Sequence, residues 1–286
     1  MNEKLTIYFK GLLMGICDLI PGISGGTIAF ITGIYERLIK AIHNISPKNY
    51  LELLFSINNK KKFFYFLYKL DIFFLIILFA GIFTAIILGS NLISFLLENY
   101  KALLLSFFLG LILASSKIIY DDITKHSNSN IFAGFIGFCV GLIITFLTPS
   151  QVSNPSFIYV IIGGFFAIFA LFLPGVSGSF ILLILGLYEY IITSVKEIKT
   201  QYLNLIPFAI GAAAGVFIIS RLITWLFKKD KCKTLYFLLG LVLGTLLILI
   251  KEIMNNLISF NSLVASQLTI LFSLGLLVVY FIKKLG

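Results

Sequence analysis

Apolar residues run through this chain in blocks of roughly 18–25, separated by short clusters of Lys, Asp, Glu, Asn and Ser. As helices, such blocks span a hydrocarbon core about 30 Å thick. A coarse reading places ten apolar helical segments at about 5–19, 22–42, 71–97, 101–118 and 131–148 in the first half, and 155–173, 176–194, 203–227, 234–251 and 264–283 in the second. The fold class that follows is all-α, a polytopic integral membrane protein. The segment 43–70, where Lys60-Lys61-Lys62 precedes Phe63-Phe64-Tyr65-Phe66, reads as an interfacial stretch on an anionic leaflet.

Two of these blocks are interrupted in the same way. Residues 21–39 read PGISGGTIAFITGIYERLI and residues 174–192 read PGVSGSFILLILGLYEYII, identical at ten of nineteen positions at an offset of 153. The likeness extends further at an offset of 130, where Gly81 meets Gly211, Ser90–Ser94 meets Ser220–Thr224, and Phe107–Leu111 meets Phe237–Leu241. The chain is therefore read as one duplicated unit of five segments, with a first repeat over 1–150 and a second over 151–286. An odd number of segments inverts the second copy in the membrane. A helix-breaking turn repeated in corresponding places of two halves is the pattern of paired discontinuous helices around a transport site.

Charge orients the repeats. With the N-terminus inside and all ten segments threaded, seventeen Lys and Arg fall on the inner side against four on the outer, namely Lys101, Lys196, Lys199 and Lys251. That bias places both termini on the cytoplasmic side of the membrane. It also accounts for the net charge of +10 without nucleic acid. Only ten residues separate Lys10 from Pro21, about 15 Å of helix, so 5–42 reads as a re-entrant hairpin. Its partner 155–194 is ambiguous, because 156–173 is long enough to span.

The turns carry the candidate chemistry. Pro21-Gly22 stops the first helix, and Ser24 is placed to cap a new one with the N–H groups of Gly25, Gly26 and Thr27 free. The second copy offers Ser177, Gly178, Ser179 and Phe180. Helix N-termini favour phosphates and carboxylates, so two termini entering from opposite faces would converge on one central anion site. Small residues of this kind also serve close helix packing. Asp18 lies three residues before the breaking Pro and matches Leu171 in the second copy, which suits a proton-binding role. Glu36 and Glu189 follow the shared Gly-x-Tyr and are further proton candidates, or interfacial carboxylates. Arg221 either snorkels to the inner face or holds a phosphate. His43 and His126 read as solvated loop residues, and Asp121-Asp122 has no ligand-spaced partners. Cys17, Cys139 and Cys232 are scattered and read as packing residues. Neither a metal nor a cofactor is implied, and there is no nucleotide-binding glycine motif.

The strings Gly15-Ile16-Cys17-Asp18-Leu19-Ile20-Pro21-Gly22-Ile23-Ser24-Gly25-Gly26-Thr27 and Leu173-Pro174-Gly175-Val176-Ser177-Gly178-Ser179, each followed by Gly-[Ile/Leu]-Tyr-Glu, resemble the bacterial PopT-type polyprenyl phosphate transporters. The resemblance covers nearly the whole chain. It implies a transporter, not an enzyme, that returns undecaprenyl phosphate from the outer to the inner leaflet for envelope synthesis. The partners it implies are that lipid and the surrounding membrane lipids. By resemblance Asp18, Ser24, Gly25, Gly26, Thr27, Glu36, Ser177, Gly178 and Glu189 occupy motif positions; Arg221 does not come from it. Membrane polyprenyl pyrophosphate phosphatases are the enzymatic rival, but their turn carries an Arg after the Ser, where Gly25 and Gly178 stand here. A small-anion carrier is the third reading.

Overall fold

The helix ends fall where the sequence supplies caps. Ser127 accepts from the Asn130 N–H, Ser156 from Tyr159, Asp230 from Lys233 and Asn59 from Lys62. Each satisfies an amide that the helix itself leaves without a partner. The computed structural model describes residues 3–20, 22–56, 58–148, 151–152, 154–257 and 261–285. Among these residues all regular structure is helical: α1 (Glu3–Asp18), α2 (Gly25–Ile31), α3 (Tyr35–Asn44), α4 (Pro47–Phe55), α5 (Lys60–Lys69), α6 (Ile72–Asn99), α7 (Lys101–Asp121), α8 (Asn128–Phe146), α9 (Phe157–Leu171), α10 (Gly178–Ile184), α11 (Tyr188–Lys196), α12 (Ile198–Lys229), α13 (Lys231–Asn255) and α14 (Ser262–Leu285). Six of them, α6, α7, α8, α12, α13 and α14, are long and apolar enough to cross a membrane.

The remaining apolar segments are shorter and broken. The single helices read over 22–42 and 176–194 are each two, α2 with α3 and α10 with α11, and the second pair bends by 116°. Gly33 and Gly186 make the breaks at φ 71° and 69°, a left-handed backbone that residues with a Cβ rarely adopt. The carbonyl freed at each break is taken up from the preceding helix. Lys10 Nζ donates to Thr32 O at 2.6 Å, and Tyr159 Oη donates to the equivalent Leu185 O at 2.8 Å. The helix α9 has 15 residues, about 22 Å, so the segment read as long enough to span falls short of the hydrocarbon thickness. The stop assigned to Pro21 lies outside the described residues.

Packing follows the duplicated pattern. The first helix of each half lies on the third apolar segment of that half, α1 on α6 and α9 on α12. A Cβ on Gly81 would sit 2.2 Å from Tyr8 O, and one on Gly211 would sit 1.9 Å from the equivalent Ile161 O. The next two helices exchange between halves: α7 packs on α14 and α13 on α8. There a Cβ on Gly110 would meet Phe272 O at 2.1 Å, and one on Gly240 would meet Gly134 O at 1.9 Å. Such contacts let backbones touch where lipid offers no hydrophobic drive between helices.

The halves differ beside their turns. The first turn sits in the main core with Ile20, Ile23 and Ile28 against Leu105, Val242 and Ile248. Beside the second lies an apolar cavity of about 330 Å³ lined by Phe166, Leu173, Val176, Ile181 and Leu241. The segment read as interfacial forms α4 and α5; α5 buries no residue and leaves Phe64, Tyr65 and Tyr68 exposed. Arg37 on α3 pairs with Asp71, just before α6, at 2.6 Å and with Glu3 on α1 at 3.0 Å.

Candidate functional site

Both turns are built on a left-handed glycine, Gly22 at φ 86° and Gly175 at φ 84°. Each swings the chain so that a serine precedes a short helix. Ser24 has extended backbone and its Oγ accepts from Gly26 N at 3.1 Å, the cap its position predicts. Asp18, at the end of α1, reaches the same terminus: Oδ1 accepts the Gly25 N–H at 2.7 Å. Position 25 has no room for a side chain there, since a Cβ would lie 2.6 Å from Asp18 Oδ2.

These contacts correct one expectation. The three amides expected to be free are each engaged, Gly25 by Asp18, Gly26 by the Ser24 hydroxyl and Thr27 by the Ser24 carbonyl at 3.0 Å. The negative charge that such a terminus favours comes from Asp18 itself. The second turn is different. Leu171 stands where Asp18 stands in the first, Ser177 makes no side-chain cap, and its hydroxyl pairs with that of Ser179 at 2.7 Å.

The turns meet at the centre of the bundle. Gly175 N–H donates to Thr27 Oγ1 at 2.9 Å, and Ser24 Oγ lies 3.4 Å from both Leu171 O and Leu173 O. Tyr35 donates to Phe172 O at 2.8 Å and stacks on Phe30 with centroids 3.9 Å apart. Asp18, Ser24, Gly25, Gly26, Thr27, Ser177, Gly178 and Ser179 thus share one region, in which all but Asp18 and Ser179 are buried. Sequence reasoning did not select Tyr35, although it belongs to the repeated Gly-x-Tyr-Glu.

The other candidates lie elsewhere. Glu36 pairs with Lys231 at 2.5 Å and Lys40 at 3.7 Å, on the wall of a 590 Å³ cavity that Arg37, Lys69, Asp71 and Asp122 also line. Glu189 is exposed and accepts from Gln151 at 3.5 Å. Arg221 does not reach the turns by any hydrogen bond among the described residues; it donates to Phe217 O at 3.0 Å and stacks on that ring. Of the two histidines read as solvated, His126 is exposed, with Nδ1 2.7 Å from Tyr236 Oη, whereas His43 Nδ1 is buried with no hydrogen-bond partner among the described residues. His43 lies on α3, so the loop read around it is helical, while His126 lies in the non-helical stretch 123–127.

Six long apolar helices around two broken ones whose tips touch define a polytopic helical membrane protein with a central polar turn region. Residues 14–282 match the VCA0040-like family, described as undecaprenyl phosphate translocase-like, and the chain belongs to that family. It is 40% identical over 242 residues to a polyprenyl-phosphate transporter of Vibrio cholerae, covering 85% of this chain and 76% of that protein. It is 28% identical over 283 residues to a polyprenyl-phosphate transporter of Staphylococcus aureus, covering 93% and 94% respectively. No solved structure matches the chain.

Proposed function

We propose that this protein carries a polyprenyl phosphate, undecaprenyl phosphate by its family, across the cytoplasmic membrane from the outer to the inner leaflet. The observation that carries the reading is the meeting of the two Pro-Gly-x-Ser-Gly turns through Thr27 and Gly175 in a chain of this family. The headgroup is held between the turns by Ser24, Gly25, Gly26, Thr27, Ser177, Gly178 and Ser179, while the prenyl tail stays in lipid. Arg221 joins the headgroup only if its side chain leaves Phe217, one turn away on the same helix.

The two halves, 1–150 and 151–286, are proposed as inverted repeats with re-entrant hairpins and cytoplasmic termini. The equivalent contacts of Gly81 with Gly211 and of Gly110 with Gly240 support the repeat, and the lysine distribution supports the orientation. Supporting the re-entrant hairpins are the short α1 and α9 and the breaks at Gly33 and Gly186.

A phosphomonoester carries about −1.5 to −2 charges at neutral pH. Moving it inward against an inside-negative potential costs about 2.3 kcal/mol per charge per 100 mV. Proton coupling offsets that cost. Asp18 suits the task, since its carboxylate and an incoming phosphate compete for the same Gly25 N–H. Protonated Asp18 no longer repels the headgroup. Glu36 and Glu189 serve the same transfer at the two ends.

The test is a proteoliposome assay with undecaprenyl phosphate, undecaprenyl pyrophosphate and inorganic phosphate offered separately. Movement of the lipid monophosphate between leaflets above protein-free vesicles supports the reading. Release of phosphate from the pyrophosphate without lipid movement makes the protein an enzyme, and uptake of free phosphate alone makes it a small-anion carrier.

A further inference from the structure

Two lysines in corresponding places of the halves have chosen different carboxylates. Lys231 opens α13 and Lys101 opens α7, 130 residues apart, the same offset that superposes Gly110 on Gly240. Lys231 Nζ pairs with Glu36, on the hairpin of the other half, at 2.5 Å. Lys101 Nζ pairs instead with Glu252, near the end of α13, at 2.6 Å.

Each lysine has a counterpart of both partners. Glu36 corresponds to Glu189 at the hairpin offset of 153, and each is the second residue of its helix, α3 or α11. Glu252 corresponds to Asp122 at the offset of 130, and Asp122 lines the same cavity as Lys231 and Glu36. One cavity thus holds a lysine, a hairpin carboxylate and a carboxylate at the end of a long helix, and the repeat assigns Lys101, Glu189 and Glu252 as the corresponding three. One lysine pairs with its hairpin carboxylate; the other pairs with its helix-end carboxylate. Among the described residues no ion pair joins Lys101 to Glu189 or Lys231 to Asp122.

We propose that Lys231 and Lys101 are the gating residues of the transporter and trade partners in opposite phase. In the present state Lys231–Glu36 closes the cytoplasmic end, while Lys101, parked on Glu252, leaves the outer hairpin free to move. In the alternate state Lys101 pairs with Glu189 and closes the outer end, and Lys231 moves to Asp122. A two-fold related pair of sites occupied in two different ways is a single molecule's record of both states. Half-exposed ion pairs are individually weak, which suits a contact that breaks in every cycle. The inference rests on the inverted-repeat transporter reading above.

The test uses the full-length protein with Cys17, Cys139 and Cys232 replaced by Ala, reconstituted in vesicles of anionic phospholipid. One variant carries Glu36→Cys with Lys231→Cys, a second Glu189→Cys with Lys101→Cys, and a third all four substitutions. Mild oxidation is expected to cross-link each pair, read by mass spectrometry. In the third variant, forming one bridge is expected to lower the yield of the other by about ten-fold, because the two belong to opposite states. Both bridges in one molecule, or a cytoplasmic-end bridge with no outer one, overturn the proposal.

A second measurement does not depend on the cysteine pairs. Impermeant maleimide labelling of Asn44→Cys, on the cytoplasmic-end cavity, is expected to rise with Glu36→Gln and fall with Glu189→Gln. Misfolding would raise both, and a change in the same direction overturns the switch. Undecaprenyl phosphate movement is measured in parallel. Mutually exclusive bridges without lipid movement would support the switch while removing the substrate assignment.

Discussion

Thr27 Oγ1 accepts the Gly175 N–H at 2.9 Å, a hydrogen bond that joins the two repeated turns across 148 residues. Gly175 sits at φ 84° in the turn between α9 and α10, so its buried amide needs an acceptor from outside a helix. Thr27 is fully buried, so water does not substitute.

Replacing Thr27 by Val keeps the shape and removes the acceptor. The buried Gly175 N–H is then unsatisfied, at a cost of about 1–3 kcal/mol. Thermal unfolding in detergent is expected to show that loss for Thr27→Val and nearly wild-type stability for Thr27→Ser. Equal stability of the two would mean that the hydroxyl does not hold the turns together.

Gly22 and Gly175 share a backbone conformation but not surroundings. Left-handed backbone costs an alanine about 1–2 kcal/mol at either site. A Cβ on Gly22 would find only Ile248 at 3.6 Å, whereas one on Gly175 would lie 2.6 Å from Thr245 Oγ1 and 2.9 Å from the Val242 Cα. Gly22→Ala is therefore expected to lose the backbone term alone, and Gly175→Ala clearly more. Denaturant titrations of the two variants showing the same loss would contradict the packing at the second turn.

How much of this was legible in the chain depends on how local the cause is. The left-handed glycines and the Ser24 cap follow from backbone chemistry within a few residues, so the doubled motif located them. The breaks at Gly33 and Gly186 were equally local and stood in the repeated Gly-x-Tyr-Glu, but an apolar run read by hydropathy hides a glycine that turns the chain. The partner of Asp18 was not legible. Seven residues separate it from Gly25, and only the folding back of α2 on α1 brings them together. Nor does an apolar block state which other block it lies on, since glycines spaced for close packing occur on most of these helices. Arg221 reads from the sequence as either snorkelling or holding a phosphate, and the sequence alone does not show that its own Phe217 supplies both a ring and a carbonyl one turn away.

The two repeated serines divide structure from transport. Ser24 caps α2, so Ser24→Ala is expected to cost about 1 kcal/mol of stability as well as transport. The Ser177 hydroxyl makes no cap and, among the described residues, bonds only to that of Ser179, so Ser177→Ala should unfold close to wild type and still move lipid more slowly. A Ser177→Ala protein with full transport would remove the second turn from the headgroup site.

Asp18 separates charge from hydrogen bonding. In Asp18→Asn the side-chain oxygen still accepts the Gly25 N–H, so the turn keeps its geometry and loses only the charge. In Asp18→Ala the amide has no acceptor, and stability is expected to fall by about 1–3 kcal/mol. If Asp18 carries the coupling proton, wild-type movement of polyprenyl phosphate depends strongly on pH, while the Asn variant keeps only the weaker dependence that the phosphate's own protonation gives. The sign follows from electrostatics. Ionised Asp18 repels the phosphate, so wild-type transfer speeds up as pH falls, and the Asn variant behaves like the protonated form at every pH. Rates measured at several pH values in proteoliposomes decide the matter. An Asn variant that keeps the wild-type profile would move the proton to another carboxylate, with Glu36 and Glu189 next to be neutralised.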